Sequence, residues 1–123
     1  MGIISAGDGL RAAAIAITRA PENGSRALIR HIVFFTAKSP ENLDAICDGL
    51  SLLGTIPHSL HFEVTRNSKV DQISNEVDVV VYAEFADAAA LAAYKAHPTY
   101  AEATRRVRPL REIRLSADFA AKN

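Results

Sequence analysis

Near the middle of the chain, Val77-Asp78-Val79-Val80-Val81-Tyr82-Ala83-Glu84-Phe85 is almost continuously apolar and β-branched. A strand with one face in water alternates apolar and polar side chains; this run does not, and it predicts a strand covered on both faces. Ile29-Arg30-His31-Ile32-Val33-Phe34-Phe35-Thr36 reads the same way. Ile32, Phe34, Val80 and Tyr82 stand at one parity, and Val33, Phe35, Val79 and Val81 at the other. Any fold built on these strands needs apolar cover on both sides of its sheet.

The remaining segments supply cover for one side. Ser39-Pro40-Glu41 opens a helix, with Ser39 as cap, Pro40 at the first helical position and Glu41 at the positive end of the dipole. Leu43, Ile46, Cys47, Leu50 and Leu53 then recur at helical spacing, and Gly54 is expected to end the helix by adopting a positive φ. Leu60 to Arg66 alternates as a half-buried strand, and the polar stretch Asn67 to Glu76 is the connection expected to move most. Asp87 caps a second helix over Ala88 to Ala96. Pro98 stops it, forces His97 out of helical geometry and begins a further helical piece to about Val107. Glu112 to Phe119 is the last strand.

The order β-α-β-β-α-β predicts an α+β, ferredoxin-like sandwich with a four-stranded antiparallel sheet. Its helices cover one face. The simplest cover for the other is the same face of a second copy, which predicts a two-fold homodimer with a barrel-like interior, and a pocket is expected inside that barrel.

At 123 residues the chain is long enough for one domain. Residues 1–27 carry Gly2, Gly7, Gly9 and Gly24 around one Ala-rich segment, Leu10 to Ala20, and read as an N-terminal extension to a domain over 28–123. Fourteen basic and fourteen acidic side chains leave no net field to draw nucleic acid or an acidic membrane. The longest apolar run near the N-terminus, Ala12 to Thr18, is bracketed by Arg11 and Arg19 and is too short for a membrane span or a secretion leader. Cys47 has no partner for a disulfide and reads as a buried thiol in a cytoplasmic protein. His58 and His61 have no Cys or carboxylate at metal-ligand spacing, so no metal site is expected, and no phosphate loop or nucleophile elbow is present. Arg105, Arg106, Arg108, Arg111 and Arg114 are read as a solvated face with a few ion pairs.

Several pieces carry a resemblance: His31-Ile32-Val33-Phe34-Phe35; Phe62-Glu63-Val64 followed by Arg66-Asn67; Ala83-Glu84-Phe85; Leu91-x-x-Tyr94-x-x-His97-Pro98-x-Tyr100; and Arg108-Pro109-Leu110 before a strand ending Asp118-Phe119. Together, over about residues 29 to 119, they resemble the stress-responsive dimeric α/β-barrel (Dabb) family. The resemblance implies a ferredoxin-like fold and a homodimer with facing sheets. One plant member is a polyketide cyclase, and its cavity histidines and tyrosine match His31, His97 and Tyr94 here. This sequence departs from that enzyme at Val79, where a third-strand histidine is replaced, and in its first helix, which lacks the enzyme's tyrosine.

The candidate site is therefore His31 and His97 as proton-transfer groups near neutral pH, Tyr94 to orient or polarise a carbonyl, and Tyr82, Tyr100 and Phe35 as ligand-binding side chains. For His97 the competing reading is a side chain that caps backbone groups at the helical bend. Two functions stay open: a cofactor-free cyclase, isomerase or lyase, and a non-catalytic stress-response module holding a small apolar or aromatic molecule. An enzyme like the antibiotic-biosynthesis monooxygenases, which share the architecture, is a third.

Overall fold

A computed structural model describes residues 27–122. The extension expected over residues 1–27, with its helix from Leu10 to Ala20, falls almost wholly outside the described residues. The compact body runs from Ile29 to Ala121. Its elements are β1 (Ile29–Ala37), a 3-10 turn (Pro40–Asn42), α1 (Leu43–Ser51), a second 3-10 turn (Leu52–Thr55), β2 (His61–Arg66), β3 (Val79–Phe85), α2 (Ala88–Ala96), α3 (Pro98–Val107) and β4 (Arg111–Ala120). The four strands form one sheet in the order β2-β3-β1-β4, and every neighbouring pair is antiparallel. This is the expected ferredoxin-like α+β sandwich.

Register assigns the faces. Val33 lies opposite Val81, and His31 opposite Ala83 on one side and Asp118 on the other. Directly opposed residues in an antiparallel pair project from the same face. His31, Val33, Phe35, Val79, Val81, Ala83 and Phe85 are all buried beneath the helices. The other face carries Ile32, Phe34, Val80 and Tyr82, only half-buried, and continues onto the exposed Leu115 and Phe119 of β4. Among the described residues, nothing covers this apolar sheet face, as the two-parity pattern of its strands predicts.

Local chemistry sets the element ends. The strand expected from Val77 begins instead at Val79, because Asp78 turns its carboxylate to the Ala37 N–H (2.8 Å) and to the Lys69 ammonium (2.8 Å). Asn67 closes the base of the same connection by donating its side-chain amide to the Val77 carbonyl (2.8 Å). Ser39 is extended but makes no side-chain cap bond, so α1 is entered through the 3-10 turn at Pro40. Gly54 does not take a positive φ. It sits in the second 3-10 turn, where a Cβ would lie 2.9 Å from the Phe62 ring, so it is glycine for space rather than for backbone freedom. Gly49 plays the same part for α1 against α3, where a Cβ would meet Val107 at 2.8 Å.

Candidate functional site

His31 stands in mid-strand on the helix-facing side of the sheet and is 1% exposed. An imidazole can be held there because register places Asp118 directly across from it, and its Nδ1 contacts the Asp118 carboxylate. That contact fixes the tautomer: Nδ1 carries the proton it donates to Asp118, which leaves Nε2 as the basic nitrogen. Burial pushes the His31 pKa below its ordinary value, and the Asp118 contact opposes that shift without reversing it. His31 is therefore held neutral at neutral pH. The Lys95 ammonium stands 3.6 Å from the other oxygen of Asp118.

Tyr94 reaches the same place from α2. Asp87 starts that helix by accepting from the Ala90 N–H (2.9 Å), and Tyr94 falls near its end on the buried side. Its ring packs against Phe85 (centroids 4.9 Å), Tyr100 (5.4 Å) and His31 (6.0 Å). Its hydroxyl is buried with no hydrogen-bond partner among the described residues, and burial raises its pKa, so it stays protonated as a donor. Tyr100, from α3, accepts at its hydroxyl from an Arg114 guanidinium nitrogen at 3.3 Å.

These groups line a cavity of about 400 Å³ between the sheet and the helices of a single protomer. Its apolar floor includes Val33, Phe35, Leu50, Leu53 and Val107. This cavity lies on the opposite side of the sheet from the face expected to meet a second copy; a pocket between two facing sheets takes two protomers to form. The parity that buries His31 also turns it toward the helices.

Of the six candidate residues, His31, Tyr94, Tyr100 and Phe35 share this cavity, and His97 and Tyr82 do not line it. His97 leaves helical geometry ahead of Pro98, with φ −67° and ψ 140°, and its Nδ1 accepts from the Thr99 N–H at 3.1 Å. It caps α3, which is the competing reading of that bend, and its ring faces His58 at 6.3 Å. Tyr82 lies on the outer face, where its hydroxyl donates to Glu84 at 2.6 Å. His61 is exposed and meets Glu63 at 2.8 Å. Among the described residues, no group of three or more His, Cys, Asp or Glu side chains could hold a metal ion.

Two features escaped the sequence reading. Asp118 had no assigned role, although its parity with Arg114 and Ser116 on β4 would have placed it beside His31 once the β1–β4 register was known. The arginine series also divides. Arg105 and Arg106 pair with Glu102 on the surface of α3, as expected of a solvated face. Arg108, Arg111 and Arg114 line the cavity instead.

The sequence matches the family described as "Stress responsive A/B Barrel Domain" over residues 29–121. A Dabb family protein with a ferredoxin-like fold from Mesorhizobium loti is 30% identical and superposes with a TM-score of 0.67 over 80% of this chain and 100% of that one. A dimeric ferredoxin-like protein of unknown function from Thermobifida fusca is 23% identical, with a TM-score of 0.67 over 79% of this chain and 93% of that one. A candidate antibiotic-biosynthesis monooxygenase from Chloroflexus aurantiacus is 16% identical, with a TM-score of 0.63 over 79% and 95% of the two chains. No curated protein matches the sequence.

Proposed function

The chain belongs to the stress-responsive A/B barrel (Dabb) domain family, and we propose that it is a homodimer in which each protomer binds a small apolar or aromatic carbonyl compound and moves a proton on it without a cofactor. The observation that carries this reading is the Tyr94 hydroxyl: a buried donor without an acceptor, in the same cavity wall as a neutral imidazole oriented by a carboxylate. Leaving such a hydroxyl unpaired costs about 1–3 kcal/mol. A ligand carbonyl oxygen would recover that cost.

The chemistry follows from the two protonation states. With Nδ1–H committed to Asp118, the Nε2 lone pair of His31 can take a proton from carbon next to the ligand carbonyl. Tyr94, kept protonated by burial, donates to the carbonyl oxygen as negative charge gathers there. Return of the same proton to another carbon gives an isomer; alternatively the carbanion attacks a second carbonyl of the ligand, closing a ring, and the proton held on Nε2 passes to the alkoxide oxygen that forms. The proton balance is complete within His31 and the ligand.

The homodimer is supported by the uncovered apolar face of Ile32, Phe34, Val80 and Leu115, and by the dimeric description of the T. fusca protein. No helix among the described residues is long and apolar enough to cross a membrane. A cytoplasmic location belongs to the same proposal and rests on the free thiol of Cys47. The stress-linked role rests on the family description.

A non-catalytic binding module is the second reading, and one observation favours it: His97 caps a helix and is not in the cavity, so a single histidine would have to do all the proton transfer. The likeness to the C. aurantiacus protein carries the fold and not a reaction. The deciding experiment follows the four histidine rings by NMR as phenolic and β-dicarbonyl compounds are added, together with solvent-deuterium incorporation into an aryl ketone. We expect His31 to move while His58 and His61 stay, and incorporation to vanish in His31→Gln. Binding without incorporation selects the second reading. Absence of any His31 response to every compound tried removes both.

A further inference from the structure

The cavity wall is chemically divided. Against the apolar floor stands a cationic side made by Arg108 at the end of α3, Arg111 and Arg114 on β4, and Lys95 in the last turn of α2. Among the described residues, the acid that contacts this group is Asp118, which is already engaged with His31 and Lys95. Four other cations of the domain have their own carboxylates: Arg105 and Arg106 share Glu102, Arg66 takes Asp44, and Lys69 takes Asp78, whereas Arg30 and Lys38, which do not line the cavity, form no ion pair among the described residues. Among the described residues, no carboxylate forms an ion pair with Arg108, Arg111 or Arg114.

Part of this charge has a local explanation. Lys95 and Arg108 lie at helix C-termini, where a cation is stabilised by the helix dipole whatever fills the cavity. Arg111 and Arg114 are on a strand and have no such reason. Both are half-buried, Arg114 projects from the sheet face that carries His31, and the intervening Glu112 stays exposed without pairing to either. Arg114 donates to Tyr100, and its charge acts on both His31 and Tyr94. Partly desolvated guanidinium groups without a counter-charge are costly, and their planar fork suits a carboxylate bidentately.

We propose that the ligand of this cavity is a small apolar or aromatic monocarboxylic acid, its body on the floor of Val33, Phe35 and Leu50 and its carboxylate on Arg111 and Arg114 with Arg108 beside them. This rests on the cavity being a ligand site, as proposed above, and adds the charge of the ligand. The apolar floor separates it from a bare inorganic anion. The buried Tyr94 hydroxyl supplies the second polar contact, deeper than the arginines, to a carbonyl or phenol oxygen of the same molecule.

The test compares 3-phenylpropionate with its neutral primary amide and with inorganic phosphate, by calorimetry and by the His31 ring resonances, on the full chain. We expect the acid to bind at least about tenfold more tightly than the amide, the yield of one charge-assisted hydrogen bond. Added salt should erode the acid's advantage and leave the amide unaffected, a readout that needs no variant. Arg111→Gln combined with Arg114→Gln should bring the acid down to the affinity of the amide. Equal affinities of acid and amide, with His31 responding to both, overturn the acid and leave the ligand site intact. Phosphate binding as tightly as the acid and displacing it overturns the proposal in favour of a simple anion site. No response of His31 to acid or amide overturns this proposal; the function on which it rests falls only if the phenolic and β-dicarbonyl compounds fail as well.

Discussion

His31 and Tyr94 meet edge to face, ring centroids 6.0 Å apart and inclined by 70°, and one has its hydrogen bond where the other has none. The pair therefore separates stability from function. Tyr94→Phe removes a buried hydroxyl that gains nothing in the free protein, so we expect unchanged stability or a gain within the roughly 1–3 kcal/mol that the unpaired hydroxyl costs. Affinity for phenolic or carbonyl ligands should fall in the same variant. A destabilisation of about 2 kcal/mol or more in thermal unfolding would show that the hydroxyl has a structural partner after all.

His31 makes stability pH-dependent, with a definite sign. Its pKa is lowered in the folded state, so the unfolded chain binds the proton more readily. Stability from this group is then fully present above the ordinary histidine pKa of about 6.5 and is lost as pH falls below it. Denaturant midpoints taken across that range should drop toward acid pH. In His31→Gln the portion of the slope due to this ring should disappear; an identical slope in the variant would assign the acid sensitivity to another group.

His97→Ala tests the bend. Because the ring accepts from the Thr99 N–H at the start of α3, its loss should cost about 0.5–2 kcal/mol, the ordinary worth of a helix cap. Ligand-induced shifts of His31 should survive. Were the variant to keep full stability and lose ligand binding, His97 would be acting on the cavity across the bend.

The outer sheet face predicts the assembly. Leu115→Asp places a carboxylate on an apolar, 61% exposed position opposite Phe34. Sedimentation of the unaltered chain should give a dimer and of the variant a folded monomer, because no described residue of the same chain buries the position and the proposed second copy would. A variant that remains dimeric would move the interface elsewhere.

Residues 1–27 are proposed to be dispensable for the domain, since they carry few large apolar side chains ahead of the Pro21-Glu22-Asn23-Gly24-Ser25 segment. A chain beginning at Ala27 should melt as cooperatively as the full one. A broadened transition would mean that Ile15 and Ile17 pack against the body.

The fold was legible because its signals are local. Apolar runs at both parities in β1 and β3, helical recurrence from Leu43 to Leu53, and Pro98 after an Ala-rich helix each declare an element without help from the rest. The site was legible only in part. His31, Tyr94, Tyr100 and Phe35 were named from pattern and resemblance, and they do line one cavity. What a strand sequence lacks is a statement of which parity faces the helices; when both parities are apolar, Tyr82 and Phe35 look equivalent, and register alone separates them. Asp118 and the three cavity arginines were hidden for the same reason. On an edge strand of mixed polarity, charge reads as exposure until its partner strand is known.

The contact of His31 with Asp118 spans 87 positions of the chain, joining the first strand of the domain to the last. During synthesis His31 emerges long before its orienting carboxylate exists, and β2 and β3 can pair without the strand that brings it. The chemistry of the cavity is thus complete only once the last strand of the domain has been made. A domain cut short by a few residues at β4 could keep three strands of its sheet and still hold an imidazole with nothing to aim it.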